Sequence, residues 1–422
     1  MGVSRIYLSP GLFGFSTLGS YHYFCHVEAG LRRRYQAVGK GVQVHIIDVH
    51  PTASIRRRGR KLVQVIDETY DGHGAIHLVG HSTGGLDARL VASPTMNVSG
   101  ALTTPRWAGA IRSVTTMNTP HFGTPLASFF ATLSGQRLLY ALSALTVAVL
   151  KLGRPPLALT SSLVAAFSGI EKAVGVQLRL IDTLTDKLVR VLDSATADET
   201  AQFLRLIRED QGAVIQLSPE SMDLFQAGVE NSDRVYYQSV ASYAPSPGVV
   251  SWAKYVVRPW AALSLPVFAM LNRLSGLEHA RYPCKPPGTE ADDKLRAYFT
   301  EPLPDLANDG VVPIRSQVWG DLVWAGRGDH LDVVGHFSDD RDSKDHVDWL
   351  SSLSGFDAAR FDAGAGPINL PVKLKVHDSV FLPLSKWPML IAGNYRCVTP
   401  DGMRSIASAV HTDLDASRSV YD

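Results

Sequence analysis

Over its first third the chain alternates short apolar runs with amphipathic stretches. Residues 6–10 read as a buried strand, Val42–Val49 as a second, 75–80 as a third and Ile111–Met117 as a fourth. Between them, residues 21–38 and 57–70 place apolar side chains at helical spacing, and Gly85–Val91 reads as a helix directly after the third strand. Short apolar strands alternating with helices imply an α/β architecture, with a mostly parallel central sheet covered on both faces.

The pattern then changes. From 126 to 228 the periodicity is helical throughout, in segments at 126–151, 157–174, 176–193 and 197–210. A last segment opens at Ser218-Pro219, an N-cap followed by proline at the first helical position. Leu138–Leu150 is 13 residues without a charge. It is too short to span a bilayer and more apolar than a surface helix, so it must bury its faces in the protein or at a lipid or polymer surface. Asp233–Ser242 returns to a strand. An insertion at 243–300 holds Trp252, Tyr255, Trp260 and Phe268, and is either a core-packing subdomain or an apolar wall of a substrate cleft. Residues 344–353 suit a helix. The expected organisation is a core at 1–125 and 229–350, a helical cap or lid at 126–228, and a C-terminal extension at 351–422 to which no role is assigned.

Composition adds bounds. With 422 residues, 45% of them hydrophobic, a large core can be buried, and a net charge of +1 argues against nucleic acid as the main partner. Arg32-Arg33-Arg34 and Arg56-Arg57-Arg58, with Arg60 and Lys61, read as solvated helix ends. Cys25, Cys284 and Cys397 show no paired spacing and give no disulfide framework. No charged segment precedes an apolar run at the N-terminus, so no signal peptide is visible. The expected location is cytoplasmic, or outside the cell if the sequence is a trimmed mature form. No uncharged apolar run is long enough to cross a membrane.

The chemistry centres on Ile76-His77-Leu78-Val79-Gly80-His81-Ser82-Thr83-Gly84-Gly85. An apolar strand running into Gly-x-Ser-x-Gly and then a helix is the context of a nucleophile elbow. The small residues two before and two after the serine make room for a strained turn. Ser82 is the candidate nucleophile, and the Thr83 N–H, at the helix start, a candidate oxyanion donor. Leu12, in the glycine-rich loop after the first strand, is the second. His81 is expected to turn away into the packing. A serine nucleophile needs a base and an acid to orient it. Asp309, in the Asn308-Asp309-Gly310 turn, and His330 suit these roles, with Asp305 and Asp321, and His336 and His346, as competitors.

Four stretches carry a family resemblance: Gly11-Leu12-Phe13-Gly14-Phe15, Gly80-His81-Ser82-Thr83-Gly84-Gly85, Asn118-Thr119-Pro120-His121 with Gly123, and Asn308-Asp309-Gly310 followed by His330-Leu331-Asp332. In this order they resemble the bacterial triacylglycerol lipases of the Pseudomonas and Burkholderia type, over about half the chain. The resemblance implies the α/β-hydrolase fold, Ser82 as nucleophile, Asp309 as acid, His330 as base, and the Leu12 and Thr83 amides as oxyanion hole. The chain departs from the pattern in several places, a longer helical insertion and a C-terminal tail without counterpart among them. Pro10 stands where the family has histidine, and no cysteine pair matches the family disulfide. Asp332 matches a calcium ligand of the family, but His336 stands where a glutamine is expected. No metal or other cofactor is therefore expected. The expected activity is hydrolysis of apolar acyl esters, glycerides and short polyesters among them, with transient contact with a lipid or polymer surface. Acyl transfer on the same residues and a catalytically silent binding protein are the alternatives.

Overall fold

In the computed structural model the described residues are 3–12, pieces of 17–36, 39–95, 98, 104–152, 183 and 185–187, 205–207, 209–247, 259–279 and 281–334. The helices expected at 157–174 and 344–353, His336, His346, Cys25, Cys397, Trp252, Tyr255 and the extension 351–422 lie outside them, as do most of the segments at 176–193 and 197–210.

Six strands form one wholly parallel sheet: β1 (Ser4–Ser9), β2 (Val42–Ile46), β3 (Ile76–His81), β4 (Ile111–Met117), β5 (Tyr236–Tyr243) and β6 (Asp321–Arg327). Their order is β2-β1-β3-β4-β5-β6. Five of them occupy the stretches that the apolar runs indicated. The sixth, β6, was not expected. Alternation along the central strands sends Tyr7, Leu78 and Val114 to one face and Ile6, Leu8, Val79 and Met117 to the other. On the first face pack α1 (Ile55–Thr69) and α2 (Thr83–Ala92), through Leu62, Ile66, Leu86 and Leu90. Phe24, Val27, Leu31 and Tyr35, from the stretch read as the 21–38 helix, cover the second. This is the α/β-hydrolase fold. The order reverses between β1 and β3, and a crevice at the carboxyl ends of the strands is where such sheets place their sites.

Within the stretch expected to be helical, four helices are described: α3 (Pro125–Phe130), α4 (Leu133–Leu152), α5 (Gly212–Gln216) and α6 (Pro219–Gly228). The α6 helix begins as its sequence signals, with the Ser218 hydroxyl accepting from Ser221 N–H and proline in the first turn. In α4 the side chains of Leu138, Leu139, Ala141 and Ala144 are buried. The first half of that apolar segment is therefore packed in the protein. Two further helices, α7 (Pro259–Ser275) and α8 (Glu290–Arg296), come from the second insertion. No helix among the described residues is long and apolar enough to cross a membrane.

Candidate active site

At the end of β3 the chain turns sharply into α2. Ser82, the N-cap residue, has φ 53° and ψ −126°. Left-handed backbone at a serine is strained and persists only where its surroundings impose it. The flanking glycines show how. A Cβ on Gly80 would lie 2.1 Å from the Gly84 carbonyl carbon, and one on Gly84 would lie 2.0 Å from Ser9 O. Neither position can carry a side chain. Thr83 is the first residue of α2, so helix geometry leaves its N–H without an intrahelical acceptor. The loop after β1 passes close over Ser82, since a Cβ on Gly11 would meet Ser82 Cβ at 2.7 Å. Leu12 follows in that loop, half-buried.

The loop is fixed from beneath. Arg58 and Asp87 are fully buried and joined by an ion pair of 2.8 Å. Arg58 also donates to the Pro10 carbonyl, and the Ser9 hydroxyl donates to Asp87 at 2.8 Å. This corrects the reading of the 56–58 cluster as a solvated helix end. Arg57 is exposed and pairs with Asp210 at 2.9 Å, but Arg58 lies on the buried face of α1 with Ile55, Leu62 and Ile66. The spacing 55, 58, 62, 66 held that information. Asp87 had no sequence signal beyond its place one turn into the helix after the elbow.

Asp309 and His330 are brought together from loops 21 residues apart. His330 Nδ1 donates to Asp309 Oδ2 at 2.7 Å, and His330 N–H to the Asp309 carbonyl at 2.9 Å. The Asp309 carboxylate is fully buried and also accepts from Gln317 Nε2 at 3.1 Å, Val311 N–H at 2.9 Å and Val312 N–H at 2.7 Å. A carboxylate can only accept, so in the neutral ring the proton lies on Nδ1 and Nε2 keeps a lone pair. The competing acids Asp305 and Asp321 are exposed. The Ser82 hydroxyl and the His330 ring are not hydrogen-bonded to each other. Their loops meet through His81, the residue before Ser82, whose Nε2 donates to the His330 carbonyl at 2.8 Å. The His81 and His330 rings are 4.8 Å apart between centroids. His81 therefore does not turn away from the site. It packs between the two loops.

Two supports of this side had no sequence signal. Gln317, in a 3₁₀ turn, also donates to Ser242 O and Val312 O, and it accepts from Ser242 N–H. On α7, Asn272 bonds Asn308 and the Ala244 carbonyl, and Phe268 fills the space where a Gly310 side chain would stand. This described part of the second insertion packs behind the Asp309 loop. Asn118, in the stretch after β4, has φ 48° and donates to the Ser242 hydroxyl at 2.7 Å, which in turn donates to Asp329 O.

The calcium ligand that the resemblance suggests is occupied with its own loop: Asp332 Oδ2 accepts from Asp329 N–H at 2.7 Å. Among the described residues no three His, Cys, Asp or Glu side chains are grouped to hold a metal ion.

No family model matches the sequence. Over 90 residues the chain is 39% identical to a triacylglycerol lipase of Vibrio cholerae, a stretch that is 21% of this chain and 27% of that protein. Over 124 residues it is 34% identical to a triacylglycerol lipase of Pseudomonas fragi, covering 29% of this chain and 36% of that protein. It thus spans about a third, or less, of the length of these curated relatives. Among solved structures, EstA from Clostridium botulinum has a TM-score of 0.45 at 18% identity, covering 79% of this chain and 84% of that one. Staphylococcus hyicus lipase has a TM-score of 0.41 at 16% identity, covering 84% and 93%. The sheet order and the curated relatives agree at the level of the superfamily, not of one narrower lipase group. The chain is a member of the α/β-hydrolase superfamily to which bacterial lipases and esterases belong.

Proposed function

We propose that the chain is a serine carboxylic-ester hydrolase of the Pseudomonas and Burkholderia lipase type, acting on apolar acyl esters. Ser82 Oγ attacks the ester carbonyl. His330 Nε2 takes the hydroxyl proton and passes it to the leaving alcohol, and Asp309 holds the imidazole in the required tautomer. The Thr83 and Leu12 amides face the developing oxyanion. Water, deprotonated by His330, then releases the acid from the acyl-enzyme. Residues 126–228 act as the cap over the acyl site, with 1–125 and 229–350 as the core. The substrates are single esters or esters at a lipid or polymer surface, and no cofactor enters the reaction.

The observation that carries this reading is the buried Asp309–His330 pair, oriented by four hydrogen bonds to one carboxylate and tied to the strained Ser82 turn. The test is hydrolysis of p-nitrophenyl esters over a range of acyl lengths. Ser82→Ala should lower kcat by about 10³-fold or more. His330→Ala should cost nearly as much, and the double variant little more than either. A Ser82→Ala protein that kept its esterase activity would end the proposal.

A further inference from the structure

The residue between the elbow glycine and the serine is more than filler. His81 Nε2 lies 2.8 Å from the His330 carbonyl, an oxygen that only accepts, so Nε2 carries the proton. Burial, with His330 beside it, pushes the His81 pKa well below its ordinary value and keeps the ring neutral. Nδ1 is then an acceptor, and the Tyr23 hydroxyl, 2.5 Å away, donates to it. That fixes the hydroxyl's direction and turns an oxygen lone pair to Gly11 N–H, at 3.4 Å. Three hydrogen bonds therefore share one polarity, Gly11 N–H to Tyr23 Oη, Tyr23 Oη–H to His81 Nδ1 and His81 Nε2–H to His330 O. The line begins one residue before Leu12 and ends on the residue assigned as base. Tyr23 and His81 are both buried.

We propose that Tyr23 and His81 are positioning residues, which set the distance between the oxyanion loop and the His330 loop and act on the reaction only through them. The inference rests on the serine-hydrolase reading and deepens it. The tether is uninterrupted in a single hydrogen-bond direction, so cutting it anywhere removes the link between the two loops, which keep only their own anchors at Arg58 and Asp309. A nucleophile, base and oxyanion hole that drift by about 1 Å lose about two orders of magnitude in rate, while substrate binding is barely touched.

Tyr23→Phe keeps the ring and removes only the hydroxyl. In a protein with native circular dichroism, kcat on p-nitrophenyl butyrate should fall about tenfold or more, with KM changed by less than about threefold. A trifluoromethyl ketone, which forms an oxyanion on the serine, should bind more weakly by the same factor as kcat/KM. Turnover within twofold of wild type, or unchanged ketone affinity, would overturn the tether. If Tyr23→Phe does not fold, His81→Asn takes its place. Its amide reaches the Nδ1 position but not the His330 carbonyl, and the same losses are expected and the same outcomes overturn. Ser82→Ala is measured alongside. Retained activity there removes the serine reading itself, whereas a dead Ser82→Ala beside a fully active Tyr23→Phe removes only the tether.

Discussion

The two halves of the site are held by different physics. On the nucleophile side the restraint is mainly exclusion of volume. Ser82 takes φ 53° in a turn that leaves no room for a Cβ at 80 or 84, where one would meet the Gly84 carbonyl carbon at 2.1 Å and the other Ser9 O at 2.0 Å. On the Asp309 and His330 side the restraint is a set of directed hydrogen bonds, some from the turn itself and some from residues distant in sequence. Asp309 is oriented by Gln317 and two backbone amides, and Asn308 by Asn272 from a helix 36 residues earlier. Steric restraint is brittle, because a backbone cannot yield to a new carbon atom. Distributed hydrogen bonds are graded, because each can be lost while the others remain. The half that must hold a strained conformation is thus built from packing, and the half whose proton must sit on a chosen nitrogen is built from oriented donors.

This contrast is open to direct attack. Gly84→Ala should have the largest effect, since the new Cβ lies 2.0 Å from Ser9 O, a backbone atom in the central strand β1. The expected outcome is little or no native protein, judged by soluble yield and near-ultraviolet circular dichroism. A folded, active Gly84→Ala would show that the elbow yields and that exclusion is not what holds it. Next comes Arg58→Ala. It leaves Asp87 buried without its partner, a loss of about 3–5 kcal/mol. It also frees the Pro10 carbonyl under the oxyanion loop, so the folded fraction should lose kcat as well. Urea midpoints and kinetics on the same samples read both effects.

On the other side, Gln317→Leu should be milder. It removes one of four bonds to the Asp309 carboxylate and leaves the Ser242 and Val312 carbonyls short of a donor. The expected loss is about 2 kcal/mol of stability, with a kcat reduced by about tenfold and a KM little changed. The grading fails as an account if this variant is as damaging as Gly84→Ala.

The steric half was legible in sequence because its rule is local. Two glycines around a serine, after an apolar run and before a helix, state the geometry within a few residues. Strands β1 to β5 were legible because each carries an apolar run long enough to show. Strand β6 was not: Leu322-Val323-Trp324-Ala325 is a brief run bounded by Asp321 and Gly326, on an edge strand whose ends are exposed. The hydrogen-bonded half was legible only in part. Asp309 announces a turn through Asn-Asp-Gly, and His330 lies at the right remove. Asn272 and Asn118 are single polar residues whose partners Asn308 and Ser242 lie 36 and 124 residues away, and Gln317, though only 8 residues from Asp309, is held by Ser242, 75 residues away. His81 was misplaced for the same reason. Its partners, Tyr23 and the His330 carbonyl, are 58 and 249 residues away.

The smallest expected effect separates position from charge. Arg57 and Arg58 are adjacent and chemically identical, and both form ion pairs. Arg57 has 59% of its side chain exposed and meets Asp210 at 2.9 Å, while Arg58 has none exposed. An exposed pair loses most of its attraction to solvent screening and must also immobilise two side chains, so its net worth is about 0–1 kcal/mol. A buried pair has already left water, and removing one member strands the other. Arg57→Ala should therefore move the urea midpoint barely outside error, leave kcat and KM at wild-type values, and lose even its small effect in about 0.5 M salt. Arg58→Ala should keep its full effect at the same salt. If the two variants proved alike in stability and in salt dependence, the burial of Arg58 beneath the oxyanion loop would have no energetic consequence. The nucleophile side would then rest on its glycines alone.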